Sequence, residues 1–175
     1  MPTALEATTN PAQALRDLDE HGAAILAGVL TREAAADVRA RLLAGAAASE
    51  ADEVPTRGYA FDPDQHNQRV FHLFNLDRVF VDLIRHPMAL PFVQHCLGPE
   101  FLISNFSANI TAPGSQKMVL HADQGYVPEP WPAQPLACNV AWVLDDFTEE
   151  NGGTCFIPGS HREGRNPPAG AAADA

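Results

Sequence analysis

The stretch "VLHADQGYVPEPW", Val119 to Trp131, decides how this chain is read. Its first half belongs to a predicted strand, "QKMVLHADQ" over residues 116–124, which comes after a Pro113-Gly114 turn. Side chains of a strand alternate faces, so His121 and Asp123 point the same way. Their Cα atoms would stand about 7 Å apart at a rise of ~3.3 Å per residue. An imidazole and a carboxylate so placed can converge on one divalent ion. The common non-haem Fe(II) set adds one more His to such a pair and leaves positions open for cosubstrate and dioxygen. The same alternation also describes two solvated polar residues, and the triplet alone does not choose between them.

Upstream of this stretch the pattern is helical. Asn10 suits an N-cap, Pro11 the first helical position and Gly22 the stop, which predicts a helix over "PAQALRDLDEH". "AAILAGVL" reads as a short apolar strand or buried connector. Thr31 caps a second predicted helix, "REAAADVRARLLAG", with Glu33 in its first turn and Val38, Leu42 and Leu43 at helical spacing. Residues 49–69 are polar and turn-rich and read as a loop. Two more helices come next, one ended by Pro87 and one, "MALPFVQHCLG", stopping at Gly98.

After Gly98 the character changes to β. "FLISNFSANITAPG", "QKMVLHADQ", "LACNVAWVLDDF" and "TCFIPG" are four strand candidates, with "EENGG" a turn before the last. The predicted class is therefore α+β. Asn105 and Asn109 share one face of the strand that precedes the metal strand. They read either as core amides or as hydrogen-bonding groups for a cofactor or substrate, and Asn109 is carried as a cofactor-binding candidate. The terminal "REGRNPPAGAAADA" has nothing to bury and reads as a flexible tail, with the domain boundary at 164 and the tail over 165–175.

The 175 residues suffice for one domain. A formal net charge of −11, from 22 acidic and 11 basic residues, argues against nucleic acid and anionic membranes as partners. Cys96, Cys138 and Cys155 are odd in number and lack CxxC spacing, which disfavours a disulfide framework or a structural zinc site. No signal peptide and no apolar run near ~18 residues is visible, so a cytoplasmic protein is expected.

The block "LHADQGY" followed by "NVAWVLDDFTEENGGTCFIPGSHR" resembles the phytanoyl-CoA dioxygenase family. His-x-Asp, an apolar strand with a Trp, Asn-Gly-Gly and a Pro-Gly-Ser-His turn occur in the family's order. "LDEHGAAILAGVLTREAAADVRARL" resembles its opening helix–strand–helix. The resemblance spans about residues 12 to 165 and implies a double-stranded β-helix, a jelly-roll barrel, that uses Fe(II) and 2-oxoglutarate to hydroxylate a small organic substrate. By it, His121 and Asp123 match two iron ligands, and Trp142 matches an aromatic position beside the 2-oxoglutarate pocket or, equally, a core Trp.

The resemblance further implies a second iron-binding His well downstream of the Pro-Gly-Ser-His turn, and an Arg beyond it for the distal carboxylate of 2-oxoglutarate. No His follows His161 in this sequence, and Arg162 and Arg165 are the last Arg residues. His161 itself matches a turn residue with a structural role. The expectation is an N-terminal portion of the family domain: helices plus an incomplete jelly roll lacking its later strands, truncated and inactive alone. Its unpaired strand edges would favour self-association. The other expectation is a non-catalytic jelly-roll module for binding or interaction.

Overall fold

A computed structural model describes residues 5–148 and 150–168. Residues 169–175 of the expected tail, and Glu149 of the expected turn, lie outside that range.

Local chemistry sets the helices. In α1 (Pro11–His21) the Asn10 Oδ1 accepts from Ala12 N at 3.0 Å. The helix ends where Gly22 turns left-handed at φ 79° and returns its N–H to Leu18 O. Thr31 Oγ1 accepts from Ala34 N at 3.1 Å to start α2 (Arg32–Ala51). The sequence pattern ends this helix at Gly45, yet it runs on to Ala51. Gly45 acts there as a close-packing position: a Cβ on it would stand 3.0 Å from Leu76 Cδ1. α3 (Arg78–Ile84) starts at the Asp77 cap, whose Oδ1 accepts from Val79 N at 2.9 Å. α4 (Leu90–Leu97) stops at Gly98.

The sheet differs more from expectation. β1 (Asn67–Val70) arises inside the segment read as a loop, and it pairs antiparallel with β2 (Ala108–Thr111) in the register Asn67↔Thr111 to Val70↔Ala108. Val70 is buried on the core side, which supplies the strand signal hidden in polar "NQRV". Of the four expected strands only part of the first forms a ladder. Residues 116–124, 136–147 and 154–159 make no ladder among the described residues. Apolar, β-branched sequence sets a preference for extended backbone, but a ladder exists only where a neighbouring strand accepts its hydrogen bonds.

The core lies between α2, the two-stranded sheet and α3. Val38, Leu42 and Ala46 recur at i, i+4, i+8 along α2 and meet Val70, Leu73, Phe80 and Leu83. Trp142 and Leu144 cover this cluster from the C-terminal half. Arg39 Nε, at 2.9 Å from both oxygens of Asp145, fastens that cover to α2. The Pro158–His161 turn docks on the end of α1: Gly159 N donates to His21 O at 2.8 Å, and the His161 ring lies where a Gly22 Cβ would be. Among the described residues no helix is long and apolar enough to cross a membrane.

Candidate metal centre

His121 and Asp123 sit not on a ladder but at the entrance to a turn. Gly125 N donates to Ala122 O at 2.9 Å, and Val127 N to Gln124 O at 2.9 Å. His121 Nε2 lies 3.4 Å from Asp123 Oδ1, with both side chains about half exposed (54% and 60%).

The outer atom of each side chain is held. His121 Nδ1 lies 2.9 Å from Val119 O. A carbonyl oxygen only accepts, so Nδ1 carries a proton, and the tautomer with that one proton has its lone pair at Nε2. Asp123 Oδ2 accepts from Asn139 Nδ2 at 2.6 Å, which leaves Oδ1 as the free oxygen. The two free donor atoms are the two that face each other. Donors each about 2.1 Å from one ion stand ~3.0 Å apart when they subtend a right angle. The observed 3.4 Å is of that order. One imidazole nitrogen and one carboxylate oxygen make a donor pair for Fe(II) and similar divalent ions, and a carbonyl or amide orienting each ligand is the usual outer shell of such a site. Among the described residues no group of three or more His, Cys, Asp or Glu side chains is arranged to hold an ion, so the pair stands as two donors.

Asn139 is a site residue that the motif alone does not reveal. Its signal in the sequence is a single amide inside the apolar run "LACNVAWVL"; in the structure that amide is exposed and donates to Asp123. The cofactor candidates are placed elsewhere. Trp142 packs on the hydrophobic core with its ring edge-on to His86, centroids 5.3 Å apart. Asn109 lies on β2 opposite Arg69, with its side chain exposed. His161 serves the docking of its turn onto α1. Residues 164–166, at the start of the segment read as a tail, are tied to the loop beyond His121 and Asp123. Trp131 N donates to Gly164 O at 2.9 Å, and Asn166 donates twice to Glu129 Oε1, at 2.7 and 2.9 Å.

The class is that of an α+β domain, helical at its N-terminal end, with an imidazole and a carboxylate facing each other at the entrance to a turn. Similarity to known proteins narrows it. The phytanoyl-CoA dioxygenase (PhyH) family model matches residues 18–175, and the chain belongs to that family. Dioxygenase af480 of Aspergillus fumigatus is 43% identical over 156 residues, covering 89% of this chain and 50% of the relative. Dioxygenase andF of Emericella variicolor is 33% identical over 97 residues, covering 50% of this chain and 34% of its own length. Dioxygenase FUM3 of Gibberella moniliformis is 28% identical over 162 residues, covering 82% of this chain and 52% of its own length. The chain thus spans about half the length of the first and third of these relatives, and about a third of the second.

Proposed function

We propose that this chain carries two of the metal ligands of a non-haem Fe(II)- and 2-oxoglutarate-dependent dioxygenase acting on a small organic substrate. Membership of the family and the three dioxygenase relatives support the class. The single observation that carries the site is the facing of His121 Nε2 and Asp123 Oδ1, each with its other heteroatom already held. With Fe(II) and 2-oxoglutarate bound, dioxygen would supply the oxidising power for hydroxylation. The chain's own part is to present two donors. Val119 O keeps the His121 lone pair at Nε2, and Asn139 keeps one Asp123 oxygen turned toward it. The third donor, and the cation for the distal carboxylate of 2-oxoglutarate, come from outside the described residues. In the same reading residues 116–124, 136–147 and 154–159 are strands of a jelly roll awaiting ladder partners, and Asn109 and Trp142 border the cosubstrate.

Two protein donors leave most of the coordination sphere to water, so binding is expected to be weak and pH-dependent. The test is an anaerobic titration with Co(II), followed by its visible absorption, on the full chain and on Asp123→Ala. Saturable binding lost in the variant supports the reading, and identical titrations reject it. Succinate release with Fe(II), 2-oxoglutarate and ascorbate is expected to stay at the level of a His121→Ala control.

A second reading has its own observation. Leu102, Val119 and Tyr126 are 93%, 79% and 76% exposed, unusually open for large apolar side chains. A non-catalytic jelly-roll module that binds another protein surface, or a second copy of this chain through its unladdered segments, would use them. That reading expects self-association in sedimentation measurements and indifference of His121 and Asp123 to metal.

A further inference from the structure

α3 carries more apolar surface than the core uses. Phe80 and Leu83, three residues apart, face inward and are 1% and 5% exposed. Val81, Ile84 and Arg85 recur at i, i+3 and i+4 on the adjoining face, outside the core cluster. With Phe74, just before α3, and Ile103, in the segment after α4, they line a cleft of about 310 Å³. That volume lies at the low end of the ~300–1,000 Å³ of small-molecule sites. Ile103 is 54% exposed, so the cleft opens to solvent.

Four of the five lining side chains are apolar, and the fifth is a cation. The chain has 22 acidic residues for 11 basic ones, yet among the described residues no acid and no other acceptor reaches the Arg85 guanidinium. The neighbouring cations are engaged: Arg78 pairs with Asp82 at 3.2 Å and Arg41 with Asp77 at 2.9 Å. An apolar wall beside one unpaired guanidinium is complementary to an apolar body that ends in one carboxylate. The planar fork of Arg takes both oxygens of such a group at once.

We propose that this cleft binds a small monocarboxylate, with its apolar body against Phe74, Val81, Ile84 and Ile103 and its carboxylate on Arg85. Among the described residues none of these five side chains has a hydrogen bond, ion pair or ring contact with His121, Asp123 or Asn139. Binding at the cleft therefore does not depend on the function proposed above.

The experiment uses the full chain without metal, and sodium octanoate as the probe, kept below the concentration at which it forms micelles. The five isoleucines report through their δ1 methyl groups in 1H–13C spectra. Saturable shifts are expected at Ile84 and Ile103, with Ile25, Ile110 and Ile157 in place. Octan-1-ol keeps the chain without the charge, and acetate keeps the charge without the chain. Each is expected to bind at least about threefold more weakly than octanoate. Arg85→Gln should weaken octanoate about three- to tenfold, the scale of a bidentate charge-assisted pair near the surface, and leave octan-1-ol unchanged. Ile103→Glu should weaken both. Equal affinity for octanoate and octan-1-ol, wild-type octanoate binding in Arg85→Gln, or shifts spread evenly over all five isoleucines would each overturn the proposal. So would Ile84 and Ile103 shifts that follow protein concentration without octanoate, with a dimer in sedimentation, since a second copy of the chain would then occupy the cleft.

Discussion

Removing the amide that orients the carboxylate isolates its contribution from that of the ligands. In Asn139→Ala the 2.6 Å hydrogen bond to Asp123 Oδ2 is lost while both donor atoms remain. A hydrogen bond to a charged group contributes about 1.5–3 kcal/mol when well shielded. The Asp123 side chain is 60% exposed, so water replaces much of what the amide provides. The remaining term is an orientational one of about 0.7–1.4 kcal/mol, a three- to tenfold change in affinity at ~1.4 kcal/mol per factor of ten. That lies at or below the low end of the ~10–100-fold range for outer-shell partners of buried metal sites. Isothermal titration with Co(II) on wild type, Asn139→Ala, Asp123→Ala and the surface control Gln94→Ala measures it. A three- to tenfold weakening is expected in Asn139→Ala, no binding in Asp123→Ala and wild-type affinity in the control. Affinity of Asn139→Ala within the error of wild type would refute the orienting role. Complete loss would show that Asn139 shapes the whole turn rather than one carboxylate.

Three further perturbations probe the scaffold. Gly22→Ala places a side chain at φ 79° and against His161 Nδ1; the backbone part costs about 1–2 kcal/mol, and the clash should free the Pro158–His161 turn, seen as faster amide exchange at Gly159. Phe80→Ala empties a site that is 1% exposed and faces Phe106 edge-on at 6.2 Å; a loss of about 3–5 kcal/mol is expected from urea unfolding, and a loss under ~1 kcal/mol would show that this cluster is not the core. His95 is shifted above its ordinary 6.5 by the Asp19 hydrogen bond, against burial. The stabilisation from that pair is therefore full below pH 6.5 and fades as pH rises through the raised value. NMR titration of the ring in Asp19→Asn should return it toward 6.5, and an unchanged midpoint would reject the pairing.

The local signals in the sequence are legible where one residue settles the backbone. Asn10, Pro11 and Gly22 mark α1 because a cap, a fixed φ and a left-handed stop are each local. Gly45 misleads for the opposite reason: its role depends on Leu76, thirty-one positions away along the chain, and no local rule reveals it. β1 is hidden because three of its four residues are polar, and their burial rests on Asp62, Thr56 and Glu50 as partners. The strand candidates after residue 112 have the right composition, but a ladder is a property of two segments. His121 and Asp123 are visible as a motif, whereas the turn that follows them and the Asn139 hydrogen bond to Asp123 are not.

The central claim is that one divalent ion sits between His121 Nε2 and Asp123 Oδ1. Paramagnetic broadening by Mn(II) locates such an ion directly. In 1H–15N spectra of the full chain, substoichiometric Mn(II) is expected to erase the amides of residues 119–125 and 138–140 first, with the effect abolished in Asp123→Ala. Broadening spread over the acidic surface, or centred elsewhere and unchanged in that variant, would contradict that placement.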